Sequence, residues 1–219
     1  MIITQIKQLY AEHSHAINAA LMQKYLKDKF VFYGIKATER RNLDKICWEK
    51  MGLPKHEELT EMVRTLWAES QRELHYFALE NIGKLKKHWK EDLIDLLEYV
   101  ISHNSWWDTV DFAAKWVGEF FQKFPHLILP ITEKWIASGN IWLQRVCIIF
   151  QLTYKKATNT QLMFDYILLC ADSQEFFLQK AIGWALRQYS RTDAQAVIAF
   201  VANHELKPLS KREALRLLK

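Results

Sequence analysis

Apolar residues recur at helical spacing through nearly all of the 219-residue chain, and no segment alternates in the way a half-buried strand requires. The helical pattern also repeats. Trp106-Trp107-Asp108-Thr109-Val110, Trp142-Leu143-Gln144-Arg145-Val146 and Phe177-Leu178-Gln179-Lys180-Ala181 each begin with an aromatic that is followed four residues later by a small apolar side chain. Their starts lie 36 and 35 residues apart, and a weaker copy, Leu74-His75-Tyr76-Phe77-Ala78, begins 32 residues before the first. A period in the thirties with two helices per unit predicts an α-solenoid of HEAT-like repeats, since no pair buries its apolar face alone and neighbours must stack. The expected architecture is therefore all-α: about a dozen helices in one domain over residues 1–219, curved, with a basic concave face.

Start signals support the helices. Ser70-Gln71-Arg72-Glu73, Ser105-Trp106-Trp107-Asp108, Thr158-Asn159-Thr160-Gln161 and Ser210-Lys211-Arg212-Glu213 have capping-box form or come close to it. Pro54, Pro125, Pro130 and Pro208 fall in gaps or at helix starts, where a missing amide costs little. Gly83, Gly118 and Gly183 interrupt helical patterns at about 1 kcal/mol each relative to Ala. Close helix packing or a local kink accounts for such a cost.

Composition excludes several classes. Half the residues are apolar and there are six glycines and four prolines, which rules out disordered and collagen-like chains. No apolar run approaches the eighteen residues of a membrane helix, and no export signal is legible, so a cytosolic protein is expected. Cys47, Cys147 and Cys170 form neither a disulfide framework nor a metal knuckle. No HExxH, EF-hand loop, GxGxxG, P-loop or nucleophile elbow is present, so neither a metal nor a nucleotide cofactor is expected. The net charge of +5 leans weakly toward a polyanionic partner, and nine tryptophans suit both thick helical cores and surfaces that touch bases or sugars.

What remains is aromatics, carboxylates and cations. Trp107 and Asp111, four apart, share one helix face and would hold an anion beside an indole. Arg145 sits in the corresponding helix of the next unit, and Lys180 with Trp184 makes a cation–aromatic spacing in the one after. In the repeat register, Trp107 and Asp111 fall nearly opposite Arg145 and Trp184 around the helix, and a two-residue shift, or about 200°, would bring them together. Spacing alone leaves this open, and a non-catalytic solenoid that binds DNA or protein fits the repeat equally well.

Several segments together resemble the AlkD-type alkylpurine DNA glycosylases: Ser105-Trp106-Trp107-Asp108-Thr109-Val110-Asp111, Lys134-Trp135-Ile136-Ala137-Ser138, Asn140-Ile141-Trp142-Leu143-Gln144-Arg145 and the stretch from Phe176 to Trp184. Tyr25-Leu26-Lys27, Tyr33-Gly34-Ile35, Glu39-Arg40-Arg41 and Pro208-Leu209-Ser210-Lys211-Arg212-Glu213-Ala214 extend the likeness over almost the whole chain, which stops at Lys219 where members of the family continue. The resemblance implies a DNA glycosylase. It is expected to be monofunctional, since no residue marks a Schiff-base lysine, to need no cofactor, and to act as a monomer, since a solenoid on a duplex needs no partner. Its partner is double-stranded DNA, from which it excises cationic N3-methyladenine and N7-methylguanine without a conventional base-flipping pocket. It also implies that Asp111 is the catalytic carboxylate, that Trp107 and Trp184 are the cleft tryptophans, and that Arg145 holds a phosphate. Tyr25, Lys180 and Arg187 are further residues expected to face DNA.

The chemistry suits those residue types. An N7-alkylated guanine already carries positive charge and leaves without being protonated, so no strong general acid is needed. A carboxylate beside electron-rich rings stabilises the oxocarbenium-like sugar formed as the bond breaks, as in glycoside hydrolysis.

Overall fold

The computed structural model describes residues 2–218, and among these it contains thirteen α-helices, three short 3-10 turns and no β-strand. The chain forms two compact units, one ending at Lys90 and the other beginning at Glu91.

The first unit contains α1 (Ile2–Glu12), α2 (Ala16–Tyr25), α3 (Ala37–Met51), α4 (His56–Trp67) and α5 (Arg72–Lys84). Helix α1 packs on α3 and α4 on α5 around buried Ile6, Leu43, Leu59, Leu66, Trp67, Phe77 and Ile82. The loop between α2 and α3 is anchored by Glu73, whose carboxylate accepts the amides of Tyr33 (3.1 Å), Gly34 (2.8 Å) and Ile35 (3.2 Å). Gly34 is required there: its φ is +93°, and a Cβ would lie 2.2 Å from the His15 carbonyl oxygen. A second buried polar group joins Tyr10, Asp44, Arg40 and Glu80, with Arg40 donating to Asp44 at 2.6 Å and to Glu80 at 3.1 Å.

The second unit contains α6 (Leu93–Ser102), α7 (Trp107–Lys123), α8 (Ile128–Ala137), α9 (Ile141–Ile149), α10 (Thr160–Leu169), α11 (Phe176–Tyr189), α12 (Ala194–Asn203) and α13 (Pro208–Ala214). Helices α7, α9 and α11 are successive neighbours. Helix α6 packs on α7 and α9, α8 on α9, α10 on α9, and α13 on α11. This is the stacking that a two-helix repeat predicts, and the repeat aromatics themselves converge. Ring centroids lie 5.7 Å apart for Trp106 and Trp142, 5.0 Å for Trp142 and Phe177, and 4.9 Å for Trp106 and Phe177.

Local sequence sets the helices that carry the site. In α7, Val110, Ala113, Ala114, Val117, Phe120 and Phe121 recur at three- and four-residue steps and are all buried. The helix stops at Phe124, which precedes Pro125 and is therefore pushed out of the helical region. Helix α9 starts after Gly139 (φ +71°), and the Asn140 side chain caps it by accepting the Trp142 amide at 2.9 Å.

The four expected capping boxes do not form. The N-caps of α5, α7, α10 and α13 are Gln71, Trp106, Asn159 and Lys207. Ser105 donates instead to the Ile101 carbonyl at 2.6 Å, Thr158 to that of Lys155 at 2.8 Å, and Ser210 to that of Gln179 at 3.1 Å. The paired acids Glu73 and Glu213 serve tertiary partners. A hydroxyl with a long-range or preceding-turn acceptor has no need of the orphaned amides of a helix start.

Gly118 and Gly183 mark close approach. A Cβ on Gly118 would lie 2.3 Å from the Phe150 carbonyl oxygen, and one on Gly183 would lie 2.4 Å from Glu213 Cβ and 3.1 Å from the Ser210 carbonyl oxygen. Replacing Gly183 with Ala should force α13 away from α11 and cost about 1–3 kcal/mol, seen as a lower thermal midpoint. An unchanged midpoint would mean that the two helices have slack at this contact.

Candidate active site

Asp111 lies on α7 one turn after Trp107, and its carboxylate is the hub of the second unit's polar interior. Arg145 on α9 grips it bidentately, Nε donating to Oδ1 at 2.7 Å and Nη2 to Oδ2 at 2.8 Å. The remaining nitrogen, Nη1, donates to the Phe177 carbonyl oxygen at 2.5 Å, in the first turn of α11. One guanidinium thus ties three successive repeats. The fork geometry of Arg matches a carboxylate in a way that Lys cannot. The Arg145 side chain is 5% exposed and that of Asp111 is 19%, so the carboxylate, unlike its partner, still reaches solvent.

Burial pushes the Asp111 carboxyl above its ordinary value, Asp108 adds to the rise, and Arg145 opposes both through its hydrogen bonds and charge. The exposed edge of Asp111 opens into a cleft walled by Ala114, Lys115, Ile149, Phe150, Leu152, Thr153, Trp184 and Gln188. The cleft pairs a carboxylate with an indole, an ammonium and two neutral hydrogen-bonding side chains. Such a set can hold a cationic or charge-developing group next to a ribose-phosphate strand.

No register shift was required to bring Asp111 to Arg145. The repeat alignment compares angles around each helix, but neighbouring helices of a stack touch through opposite flanks. Residues about 200° apart in that comparison are therefore the ones that meet. Trp184, on α11, is half-buried and lines the same cleft. Trp107 is half-buried in the first turn of α7 and stands outside the residues that line it.

The other cations have occupations the spacing did not suggest. Lys180 does not pair with Trp184: its ammonium donates to Glu213 Oε1 at 2.9 Å, and Arg187 donates to the other oxygen of the same carboxylate. These contacts, with Lys180 foremost, hold Glu213 below the usual carboxylate range. Arg145 has three of its five N–H groups on Asp111 and Phe177, so any hold on a phosphate would use the two that remain. Tyr25 belongs to the first unit, where it ends α2 with an exposed ring.

Sequence reasoning passed over Lys115, Glu213 and the Phe177 carbonyl. Lys115 had a usable signal in its four-residue step from Asp111. Glu213 was legible only as a helix-start acid. The thiols supply no nucleophile, since burial pushes Cys47 and Cys170 up to about 11. Among the described residues no three metal-ligating side chains converge, and no helix is long and apolar enough to cross a membrane.

The comparisons agree with this architecture. The sequence matches the family model described as DNA alkylation repair enzyme over residues 6–218, and the chain therefore belongs to that family. The structure is similar to a solved one described as a predicted DNA alkylation repair enzyme from Enterococcus faecalis, with a TM-score of 0.87 and 32% identity over 94% of this chain and 96% of that one. Among curated proteins, none matches the sequence significantly.

Replacing Arg145 with Ala should strand the Asp111 carboxylate and untie α7 from α11. A loss of about 3–5 kcal/mol is expected in chemical denaturation, whereas a loss under about 1 kcal/mol would show the pair to be dispensable to the fold.

Proposed function

We propose that this DNA alkylation repair protein is a monofunctional glycosylase that hydrolyses the N-glycosidic bond of cationic alkylated purines in duplex DNA, N3-methyladenine and N7-methylguanine above all, and leaves an abasic site. It acts as a monomer on cytosolic DNA and needs no cofactor. The observation that carries this reading is a partly exposed carboxylate, held on both oxygens by one guanidinium, in a cleft that also presents an indole.

The geometry suits a sugar-centred reaction. When the bond from C1′ to the purine nitrogen breaks, its electron pair neutralises the charge on the departing base and a cation develops on the deoxyribose. Asp111, fixed in orientation before the reaction, stabilises that cation without reorganising. The Trp184 indole packs against the sugar and favours positive charge at its face. Water then adds to C1′, and its proton passes to Asp111 or to solvent. Trp107, one turn before Asp111, extends the aromatic surface along α7. Arg145 acts as a positioning residue by keeping the carboxylate ionised and aimed. Because the cleft is open, the lesion need not be swallowed in a closed base pocket.

The decisive experiment follows base release from a duplex containing one N7-methylguanine, with abasic sites revealed by alkaline cleavage. The parent should release the base, and Asp111→Asn should lose at least about 100-fold in rate at a temperature where its fold is intact. Failure of folded, DNA-binding parent to release either N7-methylguanine or N3-methyladenine would favour a non-catalytic solenoid.

The raised Asp111 carboxyl has a signed consequence. The working form is the anion, so the excision rate should fall as pH drops through a value above the ordinary carboxylate range, and it should not recover at lower pH. A rate that stays level down to pH about 4 would remove ionised Asp111 from the mechanism.

A further inference from the structure

We propose that Lys115 is a phosphate-binding residue of the cleft, holding the DNA backbone beside the sugar that faces Asp111. The inference rests on reading the cleft as a DNA site and adds a residue to it.

Lys115 follows Asp111 by four residues on α7, so it lies on the same flank, about 6 Å further along the axis. It lines the same cleft as Asp111 and Trp184. Its side chain is 53% exposed, and its carboxylate contact, Glu119, lies 4.0 Å away in the next turn, at the limit of an ion pair. That pair has the weaker orientation, with the cation N-terminal to the acid, and such exposed contacts are worth little. The ammonium otherwise rests 4.6 Å from the centroid of the Trp116 ring. The contrast with the neighbouring cations is plain: the charge of Arg145 is matched by Asp111, and Lys180 and Arg187 share Glu213.

Electrostatics requires such a group. A DNA strand places a phosphate on each side of every sugar, so a carboxylate that approaches a sugar also approaches two anions. Arg145 neutralises Asp111 but leaves no surplus charge at the cleft. Lys115 supplies that surplus one turn away, as a compact point charge on a flexible stem that can follow a phosphate. Thr153 and Gln188, which line the same cleft, offer neutral donors to the phosphate oxygens.

The test is the salt dependence of binding to an unmodified duplex, measured by fluorescence anisotropy for the parent, Lys115→Gln, Lys115→Arg and Lys45→Gln. Loss of one phosphate contact should lower the slope of log K against log salt by about 0.9 in Lys115→Gln, with a few-fold loss of affinity. Lys115→Arg should keep the parental slope. Lys45→Gln, which removes the same formal charge from α3 in the first unit, should keep it too. Because Lys115 is exposed, the melting temperature of its variants should match the parent's. A parental slope in Lys115→Gln, or an equal fall in Lys45→Gln, overturns the proposal while leaving any glycosylase activity standing. A reduced slope specific to Lys115→Gln supports it even if the parent releases no base. No duplex binding by folded parent overturns both readings.

Discussion

The Arg145 guanidinium is the contact on which the second unit is organised. Its three nitrogens reach α7 through Asp111 and α11 through the Phe177 carbonyl, from a position on the helix between them. A charge buried this deeply is tolerable only because each nitrogen has a matched acceptor. The same matching prevents the three helices from sliding, since a shift of one turn would leave both charges without partners.

That arrangement places a chemical group inside a structural bond. Asp111 is the more exposed member of the pair, so its carboxylate faces the cleft while its orientation is set from behind. Preorganisation of this kind is useful where positive charge develops, because the anion need not be desolvated or reoriented at the moment of reaction. It also couples the site to the fold: a substitution at either residue disturbs both. Glu213, on α13, performs a parallel task for Lys180 and Arg187 of α11, and Gly183 allows the two helices to come near enough for it to do so.

Much of the helical framework is readable in the chain. The aromatics at 106, 142 and 177, which announced the repeat, meet in one cluster. Proline marks the end of α7 and glycine the start of α9, as local rules require. The Trp-Asp segment was legible as a candidate site because its spacing puts a carboxylate and an indole on one helix face. Repeat position and spacing drew in Arg145 and Trp184, and the likeness to known glycosylases gave those two residues their expected roles. The capping boxes were the characteristic error. Ser-x-x-Glu has the right atoms for a helix start, but Glu73 found three loop amides and Glu213 found two cations, partners remote in sequence that no local pattern names.

Periodicity, capping residues and breakers determine which segments are helices because those preferences act within a few residues. The same short range explains why sequence yields Asp111 as a candidate but not its state. Which flank of α7 faces α9, whether Arg145 is spent on a carboxylate, and which lysine remains at the cleft are settled by packing between residues more than thirty positions apart. Sequence spacing measures the angle around one helix; only the tertiary structure decides which flanks of two helices touch.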